Sequence, residues 1–187
     1  AYLVGYADVR VIFAEDEEQV DKLLNLGDRI PTVRHIVFCD ARGMRKYDDP
    51  RLLSVDDVAG EGRRRHEADA DAFDRLVDAG DGDDVAILCT TSGTTSQPKL
   101  SMLQHRAVIR HVIRYLEADP KGPTDEYVAL LPLPWIMEQI YSVGKSLVCR
   151  MRINFVEEPE TAMADMREIG PTFILLAPRV WEQIAAD

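Results

Sequence analysis

The stretch Val85-Ala-Ile-Leu-Cys-Thr-Thr-Ser-Gly-Thr-Thr-Ser-Gln-Pro-Lys-Leu100 joins a nearly apolar run to a segment rich in hydroxyl groups. The apolar part, Val85–Cys89, predicts a central strand of a parallel sheet that is covered on both faces. The hydroxyl residues, with Gly93 and Lys99, then lead toward a predicted helix over Gln104–Leu116. Backbone N–H groups in such a turn bind anionic oxygens, and a lysine adds a charge suited to a polyphosphate. The stretch therefore predicts a phosphate-binding loop between a strand and a helix.

The hydroxyl groups that can donate to phosphate oxygens belong to Thr91, Ser92, Thr94 and Thr95. Gly93 and Lys99 also have the spacing of the P-loop pattern G-x-x-x-x-G-K-[ST]. However, Pro98 stands at the second glycine of that pattern and Leu100 at its magnesium-binding hydroxyl. A P-loop nucleoside triphosphatase is therefore disfavoured, and a Ser/Thr-rich connecting loop without a ligand is the other alternative.

The rest of the chain alternates between strand-length apolar runs and helix-period segments. Helices are predicted over Asp16–Leu26 and Glu160–Ile169, and another pattern begins at Pro178. Further strands are predicted over Val9–Ala14, Arg34–Cys39, Glu126–Leu131, Met151–Val156 and Thr172–Ala177. This alternation predicts an α/β fold with βαβ units and a mostly parallel sheet.

A charged excursion interrupts the alternation over residues 40–83. Ser54 and Asp57 have the spacing of a capping box, which predicts a short helix after Ser54. The acids between Glu67 and Asp84 could form a metal or partner surface, but a solvated helix face and loop is the favoured interpretation. On the next predicted helix, Arg106, Arg110 and Arg114 form a row that is most simply another solvated face.

Composition excludes several classes of protein. The 187 residues carry 22 basic and 33 acidic side chains, a net charge of −11, which disfavours nucleic acid and anionic membranes as main partners. No apolar stretch is long enough to cross a bilayer. The three cysteines are odd in number and far apart, which is typical of reduced thiols in a cytoplasmic protein.

The loop resembles the phosphate-loop signature of adenylate-forming enzymes, T-S-G-T-T-G-x-P-K-G, at Thr91–Lys99. The following Met102–Arg106 is similar to the M-L-T-H-R of that family. Other stretches, including Leu131–Glu138 and Pro171–Glu182, look like bacterial long-chain acyl-CoA synthetases, so the resemblance covers nearly the whole chain. It implies that residues 1–187 are part of the large N-terminal AMP-binding domain, with the mobile C-terminal domain absent.

The resemblance also implies a reaction. A carboxylic acid, most simply a long-chain fatty acid, would attack ATP to give an acyl-adenylate and pyrophosphate, and coenzyme A would then displace AMP. ATP, Mg²⁺ and coenzyme A are the implied cofactors and co-substrates. The residues implied to hold the phosphates are Thr91, Ser92, Gly93, Thr94, Thr95 and Lys99. The magnesium ligand and the catalytic lysine of the family belong to later segments, so we expect no turnover by this chain alone.

Three positions depart from the pattern of the family. Ser96 and Leu100 replace glycines, and Trp135 stands where relatives usually carry histidine. Trp135 is either a wall of the acyl pocket or a core residue, and the pattern leaves both interpretations open. Glu138 matches a family glutamate, for which a buried polar contact is one interpretation.

The sequence leaves other functions open. The parent protein could stop at the acyl-adenylate, could load a carrier protein, or could be a non-catalytic module that keeps the fold. We expect a cytoplasmic location, with a peripheral association of the full enzyme with the membrane as an option. If residues 1–187 are part of a larger domain, apolar surfaces that the rest of the domain would cover are left exposed. Such surfaces would favour self-association of the isolated chain.

Overall fold

The computed structural model describes residues 1–91, 97–156 and 158–186, which group into two compact units. The N-terminal unit spans Ala1–Gly80 and the C-terminal unit spans Asp81–Asp187. The predicted α/β class is confirmed, because helices alternate with strands and parallel strand pairs occur in both units.

The N-terminal unit is built around a three-stranded parallel sheet with the strand order β1-β2-β3. Its elements are α1 (Tyr2–Tyr6), β1 (Val11–Ala14), α2 (Glu17–Leu24), β2 (His35–Phe38), β3 (Leu52–Ser54), α3 (Val55–Ala68) and α4 (Ala72–Asp78), with 3₁₀ turns at Gly27–Arg29 and Met44–Lys46. The register pairs Ile12 with Ile36 and Ile36 with Leu52. The core beneath this sheet is formed by Ala14, Val20, Ile30, Val33, Ile36 and Met44.

Local signals set the helix boundaries in this unit. The Asp16 side chain accepts a hydrogen bond from the Gln19 N–H and caps α2, and Glu18 pairs with Lys22 one turn later. The predicted capping box is also present, since Ser54 Oγ accepts from the Asp57 N–H at 3.0 Å. These contacts place α2 and α3 where the sequence predicted helices.

The charged excursion at 40–83 contains β3, α3 and α4. Neither α3 nor α4 has a buried residue, so their charged side chains face solvent as the favoured interpretation expected. The sequence predicted a short helix after Ser54, whereas α3 extends to Ala68. The helix α4 was missed.

The C-terminal unit contains an antiparallel hairpin and a parallel strand pair. Its elements are β4 (Val85–Thr91), β5 (Lys99–Gln104), α5 (His105–Ala118), β6 (Glu126–Ala129), α6 (Ile136–Glu138), a π-helical turn (Gln139–Gly144), α7 (Lys145–Cys149), β7 (Arg152–Phe155), a 3₁₀ turn (Pro159–Thr161), α8 (Ala162–Ile169) and α9 (Pro178–Ala186). The core contains Val112 from α5, Tyr127 from β6, Ile140 and Tyr141 from the π-helical turn, and Met151.

Two strand predictions in this unit are wrong in part. The run Thr172–Ala177 forms only an isolated parallel bridge between Phe173 and Tyr127. The strand β4, expected to be central and covered on both faces, pairs with β5 alone among the described strands and leaves Val85 48% exposed. The apolar composition of Val85–Cys89 therefore predicted more burial for β4 than the structure shows.

Several large apolar side chains are exposed in this structure. They include Phe13 at 66%, Leu147 at 78% and Phe155 at 73% exposure. Self-association of the chain stays a prediction, and sedimentation velocity checks it: we expect a concentration-dependent shift toward larger species, whereas a monomer at all concentrations would contradict it. Among the helices of the described residues, none combines the length and apolar character that crossing a membrane requires.

Candidate functional site

The predicted phosphate loop connects the two strands of a β-hairpin. Strands β4 and β5 run antiparallel, with Thr90 opposite Leu100 and Thr91 opposite Lys99. The helix α5 begins only after β5, at His105. The expectation of a direct strand-to-helix turn is therefore wrong, because residues 99–104 form a strand that was missed.

The hairpin brings two predicted site residues together. Thr91 and Lys99 are register partners, and the Thr91 hydroxyl donates to the Lys99 carbonyl oxygen at 3.4 Å. Both residues are exposed. Ser92, Gly93, Thr94 and Thr95, the other predicted phosphate contacts, lie outside the described residues, as does Ser96. The structure thus places one hydroxyl group and one ammonium group at the same end of a hairpin.

Lys99 is exposed and its ammonium group is not paired with a described carboxylate. Among the ion pairs of the described residues, which join a cation to a carboxylate within 4.0 Å, Lys99 does not occur. An exposed ammonium group without a carboxylate partner in this part of the chain can accept a phosphate oxygen as its counter-ion.

An acidic turn holds the start of the helix that follows the hairpin. Asp83 pairs with Arg106 at 3.0 Å, and Asp81 lies 3.8 Å from the same guanidinium. The Arg106 N–H donates to the Gly82 carbonyl at 2.8 Å, and the His105 N–H donates to the Asp84 carbonyl at 3.1 Å. Arg106 therefore holds the start of α5 against the acidic turn, whereas the sequence predicted only a solvated row of arginines. The spacing of the arginines gave no sign of this ion pair.

Trp135 lies at the N-cap of α6, in the segment predicted to wall the acyl pocket. Its indole is 51% exposed, so the interpretation as a core tryptophan is wrong for this structure. The turn before it is closed by the Trp135 N–H, which donates to the Pro132 carbonyl at 2.9 Å. Three apolar residues near it in sequence are also exposed: Leu133, Ile136 and Met137.

Glu138, the last residue of α6, is buried at 2% exposure. Its carboxylate accepts hydrogen bonds from the Tyr127 hydroxyl at 2.9 Å and from the Ser142 hydroxyl. Burial, together with the bond to Glu138, raises the pKa of Tyr127, so the phenol keeps its proton and remains a donor. The interpretation of Glu138 as a buried polar contact is confirmed.

Lys145 is a buried cation that sequence reasoning missed. It is fully buried, and its ammonium nitrogen has no hydrogen-bond partner among the described residues. The nitrogen lies 4.3, 5.1 and 4.2 Å from the ring centroids of Tyr115, Tyr141 and Phe173. Burial lowers the pKa of Lys145, since the aromatic faces offset only part of the lost hydration.

Metal-ligating groups do not cluster in the part of the chain that the structure describes. Within it, no three His, Cys, Asp or Glu side chains are placed to share a cation.

The comparisons with protein families and with known proteins agree on one family. The model of the family described as "AMP-binding enzyme" matches residues 1–187. Long-chain-fatty-acid–CoA ligase 1 of Cavia porcellus is 28% identical over 190 residues, which cover 96% of this chain and 26% of that protein. Long-chain-fatty-acid–CoA ligase ACSBG2 of Rattus norvegicus is 28% identical over 192 residues, with 98% and 28% covered.

Solved structures share the fold. The complex of VinN with 3-methylaspartate has a TM-score of 0.66 at 20% identity, covering 97% of this chain and 42% of that one. Apo MatB from Rhodopseudomonas palustris has a TM-score of 0.64 at 14% identity, covering 100% and 33%.

The chain therefore spans about a quarter of the length of the curated relatives it matches, 26% and 28% for the two ligases. The family match covers residues 1–187 and so includes the hairpin with Thr91 and Lys99 and the helix α6 that follows Trp135. On the strength of that match over its full length, the chain belongs to the AMP-binding enzyme family.

Proposed function

We propose that this chain is part of the N-terminal domain of an enzyme that activates a carboxylic acid with ATP. The observation that carries the proposal is the pairing of Thr91 with Lys99 at the ends of the segment that resembles the phosphate loop. The family match over residues 1–187 supports the same function. The similarity to long-chain fatty-acid CoA ligases supports a long-chain fatty acid as the substrate and coenzyme A as the acceptor.

The proposed reaction has two steps. A carboxylate oxygen attacks the α-phosphorus of ATP, the bond to the bridging oxygen breaks, and pyrophosphate leaves. The thiol of coenzyme A then attacks the acyl carbon, AMP leaves with the bonding electrons, and the thiol proton passes to solvent. The products are a thioester and AMP.

Thr91 and Lys99 would act in the first step by binding and positioning ATP. The first step brings a carboxylate toward a polyphosphate, so like charges must be compensated before the bond can form. The Lys99 ammonium would hold the β- and γ-phosphate oxygens, and the Thr91 hydroxyl would add a neutral donor. Ser92, Gly93, Thr94 and Thr95 are proposed to complete the cradle by their place in the motif.

Magnesium would accompany ATP in this reaction and would neutralise phosphate charge. The described residues contain no cluster of three acidic, histidine or cysteine side chains for such a cation. The roles of Thr91 and Lys99 are proposed independently of the metal.

Trp135 and its exposed apolar neighbours would contact the acyl chain. An exposed indole with exposed apolar residues next to it in sequence suits the hydrocarbon part of a fatty acid, whereas a small polar acid would gain little from them. The chain length accepted would depend on how this surface is continued in the full-length protein.

The test uses the full-length protein with ATP, coenzyme A and a series of fatty acids of increasing length, with acyl-CoA measured by mass spectrometry. We expect acyl-CoA and AMP in equal amounts, with long-chain acids preferred. Acyl-adenylate without thioester would replace the proposed ligase with an adenylate-forming enzyme that uses another acceptor. No AMP formation with any acid would overturn the proposed function.

A further inference from the structure

An arginine at the start of α5 holds the base of the hairpin that carries Lys99. Arg106 lies in the first turn of α5, and its guanidinium pairs with Asp83 at 3.0 Å and lies 3.8 Å from Asp81. We propose that Arg106 is a positioning residue that fixes the hairpin on α5 and thereby holds Lys99 in place for the phosphates of ATP. This inference rests on the proposed function, because it assigns a role in ATP binding.

The acidic turn that faces Arg106 is braced by its own hydrogen bonds. The Asp81 N–H donates to the Asp84 carboxylate at 2.8 Å, and the Asp83 N–H donates to the Asp81 carboxylate at 2.8 Å. The Asp84 N–H also donates to the Asp81 carbonyl at 3.0 Å. Because these bonds restrict the backbone of the turn, Arg106 meets carboxylates whose positions are already defined.

Main-chain hydrogen bonds join the two ends of the hairpin at the same place. The His105 N–H donates to the Asp84 carbonyl at 3.1 Å, and the Arg106 N–H donates to the Gly82 carbonyl at 2.8 Å. These residues directly precede β4 and directly follow β5. The base of the hairpin is therefore closed by two backbone bonds and by the Arg106 side chain, whereas Lys99 lies at the opposite end of the strand pair.

The hairpin depends on this base for its orientation. Among the described strands, β4 and β5 pair only with each other, so no neighbouring strand in that part of the chain fixes their tilt. The helix that holds the base is itself fixed, since Val112 of α5 is fully buried in the core of the C-terminal unit. The helix α5 thus supplies a firm support, and the Arg106 side chain ties the hairpin to it.

The length of the hairpin amplifies any movement at its base. Lys99 and Gln104 are the two ends of β5, which places them about 17 Å apart at about 3.4 Å per residue. A tilt of about 10° at the base would therefore move Lys99 by about 3 Å. Because a misplacement of about 1 Å can already slow a reaction strongly, the angle of the hairpin matters for a lysine that must meet a phosphate.

Hydrogen exchange on this chain tests the anchoring directly. The Asp83–Arg106 pair is about half-exposed, and such pairs add little to global stability, so Arg106→Gln should leave urea unfolding nearly unchanged. We expect the amides of β4 and β5 to exchange about two- to fivefold faster in this variant, while amides around Val112 keep the wild-type rate. Arg64→Gln is the matched control, because it removes another exposed ion pair, that with Glu61 at 2.6 Å.

The control should leave exchange in the hairpin unchanged. Wild-type exchange rates in the hairpin of Arg106→Gln would overturn the anchoring. Equal acceleration in the hairpin and around Val112 would also overturn it, since that result would show a general loss of stability instead of a loosened hairpin.

A kinetic experiment on the full-length protein tests the role in ATP binding. Arg106→Gln should raise the KM for ATP about three- to fivefold, while the KM for the acid changes less than about twofold. Asp83→Asn separates position from charge: removing a negative charge would by itself favour ATP, whereas loss of the ion pair should raise the KM for ATP. Arg106→Lys should restore part of the affinity, because its ammonium group can still pair with Asp83.

A double variant tests whether Arg106 acts through Lys99. Once Lys99→Ala has removed the ammonium group, Arg106→Gln should add little further change to the KM for ATP, so the two effects should be less than additive. Full additivity would show that Arg106 acts on ATP independently of Lys99 and would overturn the positioning role.

The outcomes separate the two proposals. If the wild type forms adenylate but the KM for ATP is unchanged in Arg106→Gln or falls in Asp83→Asn, the positioning role is wrong while the proposed function stands. A wild-type protein that forms no adenylate from any acid would overturn the proposed function and, with it, the role of Arg106 in ATP binding. The hydrogen-exchange result would then decide the anchoring alone.

Discussion

Thr91 and Lys99 face each other across the last register pair of the β4–β5 hairpin, where the Thr91 hydroxyl donates to the Lys99 carbonyl. This contact joins the two ends of the segment that carries the phosphate-loop motif. The hairpin therefore places the first hydroxyl residue of the motif, Thr91, next to its lysine, Lys99, at one end of the strand pair.

Replacing Lys145 by methionine should stabilise the protein near neutral pH. Burial lowers the pKa of Lys145 from its ordinary value of 10.5, so between the lowered pKa and 10.5 the unfolded chain binds more protons than the folded one. Stability of the wild type should therefore rise with pH through that interval, by at most about 1.4 kcal/mol per pH unit. Urea unfolding of both proteins from about pH 7 to 10.5 measures the difference.

The Lys145→Met variant should lack that rise, so the two stabilities should converge as the pH approaches 10.5. Lys22→Met is the control, because the Lys22 side chain is 59% exposed. A constant difference between wild type and Lys145→Met across the pH range would show that Lys145 carries its charge without penalty.

Gly144→Ala should destabilise the C-terminal unit. A Cβ at Gly144 would lie 2.7 Å from Cγ2 of Val112, which is fully buried in α5. Overpacking of this kind costs about 1–3 kcal/mol. Thermal or urea unfolding measures the change.

Gly122→Ala is the matched control, since a Cβ there meets nothing within 4 Å. Val112→Ala should relieve part of the cost of Gly144→Ala, giving a coupling energy in a double-mutant cycle. If Gly144→Ala proved as stable as Gly122→Ala, the close approach of α5 and the π-helical turn would be wrong.

The cysteines should differ in reactivity. Cys39 is exposed, whereas Cys89 is 7% exposed and burial raises the pKa of its thiol. Ellman's reagent should therefore label Cys39 in a fast phase and Cys89 at least about tenfold more slowly. Because Cys149 is partly exposed, the comparison is made in a Cys149→Ser background. There Cys39→Ser should remove the fast phase, and a fast phase that survives would contradict the burial of Cys89.

Helices with local signals could be predicted from the sequence. The cap Asp16 and the Glu18–Lys22 pair define α2, and Gly170, with φ of 61°, ends α8 at Ile169, where the predicted helix also ends. Such signals lie within a few residues of the element they define, so no tertiary information is needed.

Strand pairing could be predicted only in part. The parallel pair β1–β2 follows from alternation of strand and helix. In contrast, β5 consists of Lys-Leu-Ser-Met-Leu-Gln, which has no clean apolar alternation and follows a proline. Its strand character comes from pairing with β4, a tertiary effect that outweighs local pattern.

The interior of the candidate site was the least predictable part. Lys145 follows a π-helical turn, and the wider turn changes which side chains face the core. A period of 3.6 residues therefore misplaces residues beyond it. Glu138 was noted from the sequence, but its partner Tyr127 lies on a different element, and only the fold brings them together.

The most direct test of the central claim is acid-dependent exchange of labelled pyrophosphate into ATP by the full-length protein, with wild type and Lys99→Ala compared. Exchange reports the first step alone and does not depend on the acceptor of the acyl group. A charge-assisted bond to phosphate contributes about 1.5–3 kcal/mol, so Lys99→Ala should lower kcat/KM for ATP at least about tenfold. The exposed-lysine control Lys22→Ala should exchange like wild type. No exchange with any carboxylic acid, or equal exchange by wild type and Lys99→Ala, would contradict the assignment of this hairpin as the phosphate-binding site of an acid-activating enzyme.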